Sequence, residues 1–126
     1  MSVENEGGCR CGAVRYRVDG DPDVIGLCHC ADCRKETGGL FLAYADWPMA
    51  RFAVIGRYET WAGRSFCPIC GSRLFHLGDG KAEILIGSLD RAPAGLKPDR
   101  ELWTMRREEW LAPVEGAAQH RADAPG

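Results

Sequence analysis

The sequence predicts a small, mostly β fold: a single domain of short antiparallel strands. The segment AVRYRV at 13–18 alternates apolar and charged residues, which is typical of a half-buried strand. Five more short apolar or alternating runs follow it, and Gly, Pro and Asp separate them. Because strands this short form only a small core, we expect a bound metal to contribute much of the stability.

The remaining elements follow in chain order. The further strand candidates are LFLAYA, RFAVIG, YETWA, SRLFHL and AEILIG. One helix of about two turns is predicted for ADCRKET at 31–37, with Gly38 placed to end it. ELWTMRREEWL at 101–111 has the charges of a helix, but its Trp and Thr favour a strand followed by a turn.

The composition changes after Val114. The final segment, EGAAQHRADAPG, has no large apolar residue and is rich in Gly, Ala and Pro. We therefore predict a folded domain over 1–114 and a mobile tail over 115–126.

The charge of the chain argues against a polyanionic partner. A net charge of −2 and a pI near 5.9 provide no positive field to attract nucleic acid or an anionic membrane. No apolar run approaches the roughly 18 residues of a membrane span, and MSVENEGGCR lacks the basic start and apolar core of a signal peptide. We expect a cytoplasmic protein with no nucleic-acid or membrane partner, and the sequence does not indicate an oligomeric state.

Metal binding is the leading interpretation of the seven cysteines, which cannot all pair as disulfides. In GCRCG at 8–12 and in CPICG at 67–71, each pair of cysteines is followed at once by Gly. A zinc knuckle needs such a sharp turn after its second ligand, with backbone amides close to the sulfurs. The alternative is a set of ordinary buried or redox-active cysteines. The pattern favours a closed structural zinc site with the ligands Cys9, Cys11, Cys67 and Cys70.

The remaining cysteines, Cys28, Cys30 and Cys33, lie in CHCADC and offer three ligands. In an extended CxC segment both sulfurs point to one side and a turn can return the third, so His29 points away from the metal. The fourth position of a catalytic zinc is then open to water or to a substrate. The alternative is a second closed site in which His76 or a carboxylate is the fourth ligand.

Four segments carry a resemblance to a known family: GCRCGAVRY, CHCADCRKETGG, RSFCPICGSRLF and ELWTMRREEWL, in this order over 8–111. The chain resembles the glutathione-dependent formaldehyde-activating (GFA) family, which shares its domain with centromere protein V. The resemblance implies a β-rich, tent-like fold with two zinc ions per chain, a structural one on the outer four cysteines and a second on the CHCxxC cysteines. It also implies the zinc-assisted joining of glutathione to formaldehyde, giving S-hydroxymethylglutathione, or carbon–sulfur bond cleavage in reverse.

One position departs from the family pattern. The family often has Pro, two residues, His, an apolar residue and an aromatic residue. This chain has PDRELW at 98–103, so Glu101 stands where histidine is common. A variant substrate, or no thiol substrate, is therefore an open alternative.

The residues around CHCADC fit chemistry on a thiol. Three thiolates make a soft zinc site that suits sulfur, and a substrate thiol bound there would become a nucleophilic thiolate. His29 is the candidate to move the proton, since histidine titrates near neutrality. Arg34, next to Cys33, is the first candidate to bind a carboxylate of glutathione, ahead of Lys35 and Arg64. A residue of this kind is more often only a solvated surface charge, which is the alternative for each of the three.

A turn after the predicted helix adds further donors. Thr37 and the amides of Gly38 and Gly39 could bind a carboxylate or an oxyanion, or could only end the helix. The sequence thus favours a zinc-dependent carbon–sulfur lyase that acts on a small aldehyde and a low-molecular-weight thiol such as glutathione, with another thiol or electrophile as a variant. The alternative from another class is a non-catalytic zinc module that binds a protein partner, with both metals structural.

Overall fold

The computed structural model describes residues 4–125, and within them the chain forms eleven strands and one α-helix. The strands are β1 (Glu4–Gly8), β2 (Arg15–Asp19), β3 (Val24–Cys28), β4 (Leu42–Pro48), β5 (Phe52–Ile55), β6 (Glu59–Trp61), β7 (Arg64–Phe66), β8 (Arg73–Gly78), β9 (Lys81–Leu85), β10 (Arg100–Leu102) and β11 (Ala118–Gln119). Helix α1 is Ala31–Thr37, and short 3₁₀ helices lie at Met49–Arg51, Ile86–Ser88 and Thr104–Arg106. The predicted mostly β fold of short strands is confirmed.

The strands form two sheets. β1, β2 and β5 make a three-stranded antiparallel sheet in that order. The other eight strands make one sheet in the order β11-β10-β3-β4-β9-β8-β7-β6. Its pairs are antiparallel, as expected, except that β10 runs parallel to both β3 and β11. The large sheet is therefore mixed at the end that includes the C-terminal strands.

The main core lies between the two sheets. Tyr16 and Val18 of β2 are buried while Arg17 between them is exposed, which confirms the alternation predicted for AVRYRV. The ring of Phe75 is surrounded by three aromatic rings whose centroids lie 5.1 to 5.9 Å away, those of Tyr16, Phe52 and Tyr58. All three contacts are edge-on, with interplanar angles of 71° to 87°, an arrangement that aromatic pairs prefer.

A second apolar cluster lies on the opposite face of the large sheet. Leu42 and Tyr44 of β4 pack there, whereas Ala45 and Trp47 of the same strand belong to the main core. Cys28, at the end of β3, is part of this second cluster. The alternation of β4 thus separates a structural core from the face that carries the CHCADC cysteines.

Helix α1 begins and ends where the sequence predicts. The side chain of Cys30 caps its start by accepting a hydrogen bond from the backbone N–H of Cys33. Gly38 ends it with a φ of 69° and donates its N–H to the carbonyl of Arg34. None of the helices in the described part of the chain has the length and apolar character that crossing a membrane requires.

The C-terminal segment extends the large sheet. β10 confirms the strand predicted at the start of ELWTMRREEWL, and a 3₁₀ helix follows it. β11, for which the sequence analysis predicted no strand, pairs with β10, and the N–H of His120 donates to the carbonyl of Glu101. Mobility of the tail over 115–126 stays a prediction, and these backbone bonds are the contacts that motion would have to break.

Candidate metal sites

The structure brings four cysteines together at the junction of the two sheets. Their sulfur atoms all lie within 4.8 Å of one another, and this four-cysteine group consists of Cys9, Cys11, Cys67 and Cys70. The first two follow β1 in the small sheet, and the last two lie between β7 and β8 in the large sheet. Gly12 and Gly71 follow the two pairs with φ values of 85° and 78°, so the turn predicted to require glycine is present in both loops.

Hydrogen-bond donors surround the sulfurs of this group. The backbone N–H of Val14 lies 3.2 Å from the sulfur of Cys9, and the hydroxyl of Ser72 lies 3.2 Å from that of Cys70. Hydrogen bonding from Ser72 lowers the pKa of Cys70 to about 5. The backbone N–H of Ala13 lowers the pKa of Cys11, but the neighbouring cysteines raise it to about 12. Four thiolates cannot share this space without a cation, and soft sulfur donors suit zinc.

The other three cysteines meet at the junction of β3 and α1. Their sulfur atoms also lie within 4.8 Å of one another, and this three-cysteine group consists of Cys28, Cys30 and Cys33. A hydrogen bond from Cys33 lowers the pKa of Cys28 to about 6, and the same contact raises the pKa of Cys33 strongly. A cation would allow all three to be thiolates at once, so this donor set also fits a soft metal ion.

Within the described part of the chain, no histidine, fourth cysteine or carboxylate joins the three-cysteine group. His76, one alternative fourth ligand, lies elsewhere: its Nδ1 is 4.0 Å from Glu83, and its ring packs against Gly63 in the turn between β6 and β7. The described side chains therefore offer three ligands here and four in the other group.

His29 lies between two of these cysteines but belongs to neither sulfur group. Its side chain is 0% exposed, and its Nε2 lies 2.8 Å from Oε1 of Glu101. Its Nδ1 is buried and has no hydrogen-bond partner among the described residues. The ring of Phe41 packs beside it, with 5.6 Å between the ring centroids. A role for His29 in proton transfer stays a prediction.

Glu101 is the main site residue whose role the sequence did not reveal. It is 1% exposed, and its Oε2 accepts hydrogen bonds from the backbone N–H of Val114 at 2.7 Å and from Nε2 of Gln119 at 2.9 Å. Arg107 lies 3.4 Å from the same oxygen. Burial alone would raise the pKa of Glu101, but these hydrogen bonds and the one with His29 bring it below its usual value. Glu101 is therefore a buried carboxylate.

The predicted substrate-binding residues on α1 have partners within the protein. Arg34 donates to the carbonyl of Arg106 at 2.9 Å and pairs with Glu108 at 2.8 Å. The Thr37 hydroxyl donates to the carbonyl of Cys33 at 2.8 Å and accepts from the backbone N–H of Gly39. Both contacts stabilise α1, and substrate binding by either residue stays a prediction.

A cavity of 630 Å³ opens between α1 and the β6–β7 hairpin. Its size is within the range of small-molecule sites. Lys35 and Arg64, singled out in the sequence, both line it. Its lining residues are Asp32, Lys35, Glu36, Trp61, Ala62, Arg64, Phe66, Gly71 and Arg73. Glu36 pairs with Arg73 at 2.8 Å and with Arg64 at 3.4 Å, and Asp32 lies 4.0 Å from Arg64. With Lys35, the lining carries one more basic than acidic side chain.

A row of titratable side chains crosses three adjacent strands. Glu83 of β9 pairs in register with Asp46 of β4 on one side and with His76 of β8 on the other. Burial and the charge of Asp46 raise the pKa of Glu83 to about 7. Pairing SRLFHL with AEILIG as a hairpin could have revealed half of this row from the sequence, but the distant partner Asp46 could not be inferred.

Comparisons with known proteins point to one family. The family described as "Glutathione-dependent formaldehyde-activating enzyme" matches residues 4–106. A Halomonas elongata protein named "Putative glutathione-dependent formaldehyde-activating enzyme" is 51% identical over 84 residues. The match covers 56% of this chain and 54% of that protein. The chain thus spans about half the length of this curated relative.

A structural comparison gives a weaker likeness. A crystal structure of a Rhodobacter sphaeroides protein matches with a TM-score of 0.49 and 15% sequence identity, covering 91% of this chain and 98% of that one. The sequence match covers most of the chain and contains all seven cysteines. The chain therefore belongs to the glutathione-dependent formaldehyde-activating enzyme family.

Proposed function

We propose that this protein is a zinc-dependent carbon–sulfur lyase that forms or cleaves the adduct of a low-molecular-weight thiol, such as glutathione, with a small aldehyde, such as formaldehyde. The observation that carries the proposal is the three-cysteine group, to which no fourth protein ligand is joined among the described residues. Membership of the family supports it. The cytoplasm, where thiols stay reduced, is the proposed location.

In this proposal each chain holds two zinc ions. The four-cysteine group would hold a structural ion, and the three-cysteine group would hold the second. The fit of both groups rests on their sulfur atoms, which lie within 4.8 Å of one another. Bound to three thiolates, the second ion would supply a soft Lewis acid that favours the thiolate form of a substrate thiol.

The proposed reaction is an addition to a carbonyl. A bond forms between the substrate sulfur and the aldehyde carbon, the carbonyl π electrons move to oxygen, and the thiol proton ends on that oxygen as a hydroxyl. His29 is proposed to hold the proton between these two positions. Its Nδ1 is the nitrogen with no partner among the described residues, while Nε2 faces Glu101.

Residues of α1 are proposed to bind the rest of the thiol substrate. Arg34 would bind a carboxylate, which requires its guanidinium to exchange Glu108 for the substrate. Thr37, at the end of the helix beside Gly38 and Gly39, would bind a second carboxylate or the developing oxyanion. The position of both residues within four residues of Cys33 supports this assignment.

A second candidate function is a non-catalytic zinc module that binds a protein partner. Two observations favour it: the ring of His29 has no contact with solvent, and Arg34 is already paired with Glu108. In that case a protein partner or water would occupy the fourth position of the second metal.

Exchange spectroscopy by NMR separates the two functions. We expect the zinc-loaded protein to accelerate the interconversion of glutathione, formaldehyde and S-hydroxymethylglutathione. The spontaneous reaction is itself fast, so Cys30→Ser at the same protein concentration is the matched control. If the wild-type rate equals that of the control, the protein does not catalyse this reaction at the three-cysteine group, and the binding module is favoured.

A further inference from the structure

The carboxylate of Glu101 divides its two oxygens between different parts of the protein. Among residues 4–125, Oε1 has one hydrogen-bond partner, Nε2 of His29, whereas Oε2 receives the N–H of Val114, the amide of Gln119 and, at 3.4 Å, Arg107. The donors are therefore unequally distributed: one faces Oε1 and three lie near Oε2. A carboxylate can accept all of these bonds at once.

This arrangement decides which nitrogen of His29 carries the hydrogen. A carboxylate oxygen only accepts, so Nε2 must be the donor, and in the neutral ring Nδ1 then has a free lone pair. That lone pair is buried and has no partner among the described residues. The backbone N–H of His29 also donates to the carbonyl of Leu102, so both the ring and the main chain of His29 are attached to β10.

The three donors near Oε2 of Glu101 lie beyond the part of the chain that the family match covers. That match ends at residue 106, whereas Arg107, Val114 and Gln119 follow it. A buried carboxylate at this position requires donors, and here the C-terminal segment supplies them.

We propose that Glu101 is a positioning residue of the three-cysteine site, which fixes the orientation and tautomer of His29, and that residues 107–119 hold it in place. This inference rests on the proposed function in one respect only, the use of His29 in proton transfer. The rival explanation is a buried pair that merely attaches β10 to β3.

Glu101→Gln tests the proposal, because an amide has one accepting oxygen and one donating nitrogen. The three donors near Oε2 should draw the amide oxygen to their side, which turns the NH₂ group toward His29. His29 must then accept at Nε2, so its hydrogen moves to Nδ1. Long-range proton–nitrogen NMR of the zinc-loaded protein reads the tautomer, and the chain has only three histidines to assign. Glu59→Gln, at a partly exposed position that pairs with Arg57, is the matched control and should change nothing.

A conservative variant provides the comparison. In Glu101→Asp the side chain at position 101 is still a carboxylate, which accepts hydrogen bonds and cannot donate one. We expect the hydrogen to stay on Nε2 in this variant, with two zinc ions retained in every variant. If Glu101→Gln does not fold, Gln119→Ala removes one donor and should speed the exchange of the Nε2 hydrogen with water several-fold.

Activity gives the second readout. We expect Glu101→Gln to lower kcat roughly 10- to 100-fold, with little change in KM and a smaller loss in Glu101→Asp. Retention of the Nε2 hydrogen in Glu101→Gln, or a moved hydrogen with unchanged kcat, would overturn the proposal. Should the wild type lack thiol–aldehyde activity while the hydrogen still moves in Glu101→Gln and stays in Glu101→Asp, the proposed function fails and the positioning by Glu101 stands.

Discussion

The two sulfur groups have similar internal dimensions but join very different parts of the chain. The four-cysteine group connects Cys11 to Cys67, which lie 56 residues apart and in the loops of different sheets. The three-cysteine group lies within six consecutive residues at the junction of β3 and α1. A metal in the first group would close a long loop, whereas a metal in the second closes only a turn.

Because of this difference, we expect the four-cysteine group to contribute mainly to the stability of the fold and the three-cysteine group to carry the proposed reaction. Closing a long loop removes more conformational entropy from the unfolded chain than closing a short one, so the first site should support the whole fold. The second site is held by a helix cap, an apolar cluster and the His29–Glu101 pair, none of which requires the metal. Such a site can leave one coordination position to a substrate without cost to the fold.

The largest expected effect is therefore the loss of the four-cysteine group. Cys9→Ser should unfold the protein, because a structural zinc site contributes on the order of 10 kcal/mol, comparable to the total stability of a small domain. Circular dichroism during heating and the zinc content of the purified protein measure this effect.

Cys30→Ser is the matched variant in the other group. We expect it to keep a cooperative thermal transition, to lose one of two zinc ions and to lose the proposed activity. If Cys30→Ser unfolds the protein as completely as Cys9→Ser does, the division between a structural and a reactive site is wrong.

A moderate effect is expected from Glu83, which lies on the same face of the large sheet as the three-cysteine group. Burial and Asp46 raise its pKa from 4.5 to about 7, so the folded protein holds this proton more tightly than the unfolded chain does. The resulting stabilisation is present below pH 4.5 and is lost as the pH rises through about 7. Because the side chain is about one third exposed, we expect the loss to be about 1–2 kcal/mol.

Glu83→Gln tests this assignment. Relative to wild type, the variant should gain stability between pH 5 and pH 8, as measured by denaturant unfolding at several pH values. A difference in stability that does not change with pH would show that Glu83 does not titrate in this range.

The smallest effect is expected from Arg34. If it binds a substrate carboxylate, Arg34→Lys should raise the KM for glutathione about fivefold with kcat unchanged, because the ammonium keeps the charge but loses the paired donors of the guanidinium. Glu108→Gln frees the guanidinium and should lower the same KM. Equal KM values in wild type and both variants would leave Arg34 only the role of attaching α1 to the segment around Arg106.

The sequence was sufficient where ligands and turns are close together along the chain. The spacing of the cysteines predicted both sulfur groups, Gly38 predicted the end of α1, and the glycines after each outer pair predicted the tight turns. The three-cysteine group, the end of α1 and the turns depend on local geometry, which residue type and spacing determine. The two outer pairs lie 56 residues apart, and they were matched because each supplies half of a four-ligand zinc site.

The features that the sequence did not reveal depend on distant contacts. Glu101 is separated by 72 residues from His29, and its departure from the family pattern gave no indication of its partner. β11 has only two residues and little apolar character, so its place in the sheet follows from pairing with β10 rather than from its own composition. The pairing of Arg34 with Glu108 likewise required the folded structure.

Cadmium NMR of the protein with Cd²⁺ in place of zinc most directly tests the claim that one sulfur group is closed and the other has an open position. We predict one signal from each group, and addition of glutathione should shift only the signal that Cys30→Ser removes. The account would be contradicted if glutathione left both signals unchanged, or if it shifted the signal of the four-cysteine group.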